Sequence, residues 1–145
     1  MEELSNFVEG YVTGIFVTNL SSVGRAVSIF LLDRDRDNFV LKAEGVEKFI
    51  ANEMREQNII DRINVWNAKS DENSFRQILT TLISGKSEYE KLDDAFLPLI
   101  DQHIGAVRDG KKILIEIEPV YGVSVIILAR NVSLTKQNNA ENTLQ

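Results

Sequence analysis

The chain has 145 residues, a formal net charge of −6, 43% apolar and 26% charged residues, and no cysteine. That length fits one domain that buries a core without a covalent staple. The missing cysteines exclude disulfides and thiolate metal sites and fit a reducing compartment. No stretch supplies the ~18 uninterrupted apolar residues of a membrane span, and the acidic start Met1-Glu2-Glu3 does not read as a secretory leader, so a cytoplasmic protein is expected.

Phe7 to Val17 is rich in β-branched and aromatic residues and is expected to be a strand; Gly10 and Gly14, on one of its faces, point to curvature or close backbone approach. Asn19 to Gly24 reads as a turn, Ala26 to Leu32 as a second strand, and Asp33 to Asn38 as a polar turn leading into a third strand, Phe39 to Ala43. Three strands joined by short turns imply an antiparallel meander. Gly45 is read as its break. Val46, Phe49, Ile50 and Met54 then recur at helical spacing, which predicts a helix over 46–57. A short strand is expected over Ile59 to Trp66.

Residues 68–110 read as a helical insertion. Phe75, Ile78, Leu79, Leu82 and Ile83 match the i, i+3, i+4, i+7, i+8 template, with cap candidates at Ser70 to Ser74 and Gly85. A second pattern runs from Leu92 through Phe96, Leu99, Ile100, His103 and Ile104 to Val107, with Pro98 as a kink or a first-turn residue. Lys112 to Val120 alternates as a strand, Tyr121-Gly122 turns the chain, and Val123 to Leu134 is a long strand. Its middle, Val125 to Leu128, is apolar on both faces, the pattern of a central, helix-covered or interfacial strand. Residues 135–145 are polar and expected to be a disordered tail. The reading is one α+β domain over 1–134, built on a curved antiparallel sheet or small barrel of about five strands.

Three meandering strands, a helix and a closing strand pair resemble the OB-fold, a five-stranded Greek-key barrel of many nucleic-acid binders. Gly10-Tyr11-Val12, Gly24, Phe30-Leu31-Leu32-Asp33 and Gly45 carry the resemblance, together with the pair 112–120 and 123–134. It implies single-stranded nucleic-acid binding, with Arg25, Arg34, Arg36, Lys42 and Arg130 meeting phosphates and Tyr11, Phe30 and Phe39 offering stacking faces. Against it, the arginines of 33–38 alternate with Asp33, Asp35 and Asp37 and can pair with them, and both phenylalanines can be core.

Catalytic chemistry has little to stand on. His103 lies on the apolar side of its helix and reads as a packed residue rather than a base. Val23-Gly24-Arg25 is not a phosphate loop, and no motif places a base beside Ser21 or Ser22. Asp33, Asp35 and Asp37 have the opening spacing of a calcium loop, but Asn38 stands where glycine is needed and Glu44 at the twelfth position completes only half a motif; a charged turn is the better reading. Glu116 and Glu118 share one strand face and read as solvated. No catalytic residue, metal or cofactor is expected. Residues 70–101 hold seven acids and three bases, the most acidic part of the chain. The preferred expectation is a protein-binding module, an inhibitor or adaptor or a self-associating homodimer, whose interface includes Ile126, Leu128 and Val132 on the terminal strand.

Overall fold

The computed structural model describes residues 2–20, 24–85 and 94–137. Six strands are hydrogen-bonded in a closed, barrel-like antiparallel ring: β1 (Tyr11–Leu20), β2 (Gly24–Leu32), β3 (Asn38–Asn52), β4 (Ile59–Trp66), β5 (Ile113–Tyr121) and β6 (Ser124–Lys136). Their order around the ring is β1-β2-β3-β6-β5-β4. Two helices, α1 (Glu72–Ser84) and α2 (Leu97–Arg108), connect β4 to β5. The α+β class and the antiparallel meander stand, with six strands in place of about five. No helix among the described residues is long and apolar enough to cross a membrane.

The expected helix over 46–57 is a correction. Those residues continue β3 to Asn52, and 53–58 form a loop. The strand carries an irregularity between Val46 and Lys48, opposite Ala129 and Leu128. Ala43 and Val46 are core residues and Phe49 packs on the same cluster. Inward side chains therefore fall three apart: from Val46 to Phe49 the extra residue of the bulge flips the alternation, and from Ala43 to Val46 it breaks at the left-handed Gly45 with the register unchanged. A bulged strand thus imitates the spacing of a helix. Gly45 sits in the left-handed region (φ 63°), with the Arg130 side chain 3.0 Å from where a Cβ would stand. It bends the strand instead of ending it.

Residues Glu2–Phe7 form a 3-10 segment, so β1 begins at Tyr11 and not at Phe7. With three residues per turn, Leu4 and Phe7 align on one side of that segment, and both are buried in the ring's core. That core also takes Val27, Ile29, Leu31, Leu41, Ile115, Ile117 and Ile127. Phe7 meets Phe39 edge-on at 5.1 Å between centroids.

A second apolar cluster lies outside the ring. Phe75, Leu79 and Leu82 of α1 and Ile100, Ile104 and Val107 of α2 pack on Leu114, Ile126 and Leu128. Asp71 caps α1 by accepting from Ser74 N at 3.0 Å, and Gly85 closes it in the left-handed conformation. The chain from Asp94 to Phe96 is a 3-10 turn, and Pro98 sits in the first turn of α2, where its missing N–H costs nothing. Leu92 lies outside the described residues. Thr135 and Lys136, read as tail, belong to β6 and pair with Val40 and Phe39; residues 138–145 lie outside the described residues.

Candidate functional site

The terminal strand is not the interface expected of it. Ile126 is 4% exposed and Leu128 0%, both beneath the two helices. Val132 packs on the inner core, away from those two. Ala129 and Val132 both face inward across the level of Gly45, so the alternation that put Val132 beside Ile126 and Leu128 breaks there. The helical insertion supplies the cover that a partner would otherwise provide.

Among the described residues the helices pack on residues of β3 to β6 and not on β1 or β2. On β2, Val27, Ile29 and Leu31 are core, so Ser28 and Phe30 face outward. Register places Phe16 beside Ser28 and Ser28 beside Lys42, and places Gly14 beside Phe30 and Phe30 beside Val40. Directly opposed residues share a face. Phe16, Phe30 and Lys42 therefore stand on one outer surface, with Phe16 59% exposed.

The edge of this surface is open. Among the described residues β1 pairs with β4 only at Tyr11↔Ile59, reinforced by backbone bonds between Val12 and Asn58 and between Gly10 and Ile60. Antiparallel continuation from that pair carries β4 toward the N-terminal 3-10 segment and β1 past the 53–58 loop. From Thr13 onward β1 has β2 on one side and, among the described residues, no strand on the other. Val17, on its other face, is 48% exposed.

The basic residues named from the sequence divide between two regions. Arg25 precedes Ala26, which pairs with Glu44; Lys42 lies 3.7 Å from Glu44, and Arg130 packs on Gly45. These three surround one level of the ring. Arg34 and Arg36 lie beyond the other end of β2, with Tyr11, which pairs with Leu32. The Arg34 guanidinium donates to the Ser5 carbonyl at 2.9 Å. One continuous strip of all six is not what the fold builds.

Asp33 organises the turn that carries those arginines. It is 3% exposed. One carboxylate oxygen accepts from Asp35 N and Asp37 N, and the other from the Asn6 amide at 2.8 Å. Asp37 pairs with Lys136 at 3.3 Å. A carboxylate so engaged with backbone donors shapes a turn and has little left for a cation. A cavity of about 600 Å³ opens here, lined by Asn6, Phe7, Phe39 and Leu134 with the three aspartates.

Two polar groups lie under the helical side. Glu116, read as solvated, is 8% exposed and accepts from Asn64 Nδ2 at 3.1 Å. Burial raises its pKa. The sequence hides this because Glu116 alternates with core isoleucines, and only strand pairing sets it between Asn64 and Ile126. His103 is 5% exposed, with Nδ1 3.5 Å from Lys112 Nζ and 3.7 Å from Glu47 Oε2, while Lys112 and Glu47 pair at 2.7 Å. Burial, then the Lys112 charge, lowers the His103 pKa. The cluster fastens α2 to the bulge of β3, and its geometry presents no nucleophile. Ser21 and Ser22 lie outside the described residues.

Comparison with protein-family models, with curated proteins and with solved structures gives no match.

Proposed function

We propose that this protein is a non-catalytic binding module that takes up an extended strand of a protein partner along the free edge of β1. One observation carries the reading: the Thr13–Asn19 edge lacks a strand neighbour among the described residues while Phe16 and Val17 stand exposed on its two faces. An open edge presents unpaired N–H and C=O groups in register, and folded proteins blunt such edges with charge or proline. Tyr11 to Leu20 contains neither. Strand addition supplies main-chain hydrogen bonds for affinity and side-chain contacts on both faces for specificity.

The test is an array of extended, uncharged seven-residue peptides probed with the wild type and with Phe16→Asp/Val17→Asp, whose fold is checked by circular dichroism. Peptides should bind the wild type and lose binding to the double variant, and the amides of β1 should gain protection from exchange. Equal binding by both proteins, or none by either when the wild type is monomeric, removes the reading.

A second reading has its own observation. Phe16 and Phe30 share an open surface with Lys42, and Arg25 and Arg130 lie at its border. Aromatic faces beside cations suit single-stranded nucleic acid, the ligand implied by the OB-fold resemblance. If it holds, affinity falls steeply with salt, and Lys42→Ala or Arg130→Ala weakens it more than Arg34→Ala. Absence of binding to single-stranded DNA or RNA at low salt ends it.

A further inference from the structure

The longest uncharged run in the sequence extends from Gly10 to Gly24, fifteen residues between Glu9 and Arg25. The next, Pro119 to Ala129, contains Val123 and Val125 to Ala129, all buried in the ring or beneath the helices. Burial accounts for those residues, while Val120 (65% exposed) and Tyr121 (43%) near the start of that run stand in solvent. Burial does not account for the first, whose Phe16 and Val17 face solvent. Two copies of a chain of net charge −6 repel each other where acidic segments meet. This edge is not such a segment.

We propose that the strand received by β1 is β1 of a second copy, antiparallel about a twofold axis through Phe16. The inference rests on the strand-addition reading and names its partner. Closed twofold pairs are the commonest assembly, and they require a self-complementary patch. In an antiparallel pair, directly opposed residues share a face, so two identical strands must place one residue opposite its own copy. With Phe16 there, Ile15 meets Val17 of the other copy and Gly14 meets Thr18. Apolar residues thus meet apolar ones, and small residues flank the two rings. With Val17 on the axis, Ile15 would face Asn19; with Ile15 on the axis, Phe16 would face Gly14 and lose its aromatic partner. No charged pair arises between Thr13 and Asn19 in any of these registers, and the Phe16 register alone stacks the two exposed aromatic rings on each other.

The absence of cysteine makes the register directly readable. Wild-type protein should scatter light at twice 16.4 kDa at micromolar concentration. Phe16→Cys should form a disulfide-linked dimer on oxidation roughly tenfold faster than Val17→Cys or the surface control Lys48→Cys, since cross-strand Cβ atoms must come within about 4.5 Å. Gly14→Cys and Thr18→Cys chains keep Phe16; mixed, they should link to each other rather than to themselves. A dimer in light scattering whose Phe16→Cys and Gly14/Thr18 pairs link no faster than the control overturns this interface. A wild-type monomer at about 100 μM overturns self-pairing altogether, whereas the strand-addition reading fails only when the peptide array also fails.

Discussion

Asn58 holds Val123 across 65 residues of sequence: its side-chain oxygen accepts the Val123 N–H at 2.9 Å. The same oxygen accepts from Arg55 N at 2.9 Å, and the side-chain nitrogen donates to the Arg55 carbonyl at 2.9 Å and reaches the Val12 carbonyl at 3.5 Å. One buried amide therefore ties the 53–58 loop to the β5–β6 turn and to the start of β1, where the ring closes. Asn58→Ala strands the Val123 N–H in the interior and also frees the part-buried Arg55 N–H, and should cost about 2 kcal/mol, within the roughly 1–3 kcal/mol for a buried group left unpaired. Urea denaturation measures it. A loss below about 1 kcal/mol would mean that water replaces the amide.

Leu128 tests the correction to the terminal strand. It is fully buried against α1 and α2. Leu128→Ala should destabilise the fold by about 3 kcal/mol, within the 2–5 typical of such cavities, and Leu128→Asp should unfold it. A folded Leu128→Asp variant with altered oligomeric mass would restore the terminal strand as an interface.

Glu116→Gln removes a charge that burial disfavours while keeping a polar partner for Asn64. The folded pKa of Glu116 is raised, so the folded state holds its proton more tightly and this group's contribution declines as pH rises above the unfolded value. The variant should be more stable than the wild type at pH 7, with the difference closing near pH 4. Thermal melts at both pH values decide it; an equal or lower melting temperature at pH 7 refutes it.

His103 has the opposite sign. Its folded pKa is lowered, so its contribution is complete above the unfolded value near 6.5 and is lost as pH falls through the folded pKa. The charges facing it are Glu47, Lys48 and Lys112. Protonation places a third cation beside the two lysines, with Glu47 as the one carboxylate in the cluster among the described residues. His103→Gln should flatten the stability profile on the acid side of about pH 6.5. A wild-type slope that survives in the variant assigns the loss to other groups.

The parts of the fold that depend on local pattern were readable. The helix over 75–83 stands inside α1 because five apolar residues at helical spacing, a cap and a glycine stop agree. The hairpin of β5 and β6 followed from alternation around Gly122. Residues 46–52 were misread because bulges replace the two-residue period by three, and sequence period is the only evidence available before pairing is known. The candidate site was half visible. Phe16 and Val17 could be seen to lie in an uncharged strand, but whether a strand edge is free depends on where β4 and the N-terminal segment go. The same holds for Ile126 and Leu128: their double-faced apolar pattern fits cover by the 68–110 helices or by a partner, and pattern alone does not choose between the two.

The register of β3 with β6 has a consequence for the order in which the chain is made. β3 pairs with β6 along its whole length, from Phe39↔Lys136 to Asn52↔Ser124, so the third strand synthesised waits for the sixth. Until Ser124 to Lys136 has left the ribosome, the meander of β1 to β3 holds Ile29, Leu31 and Leu41 against water, and β6 is still missing from beneath α1 and α2. Such distant pairing demands loop closure before it returns contacts, which slows folding into the range of milliseconds to seconds. During that interval the nascent chain shows an apolar sheet face and open strand edges together, and its yield in a cell depends on how quickly the last strand arrives.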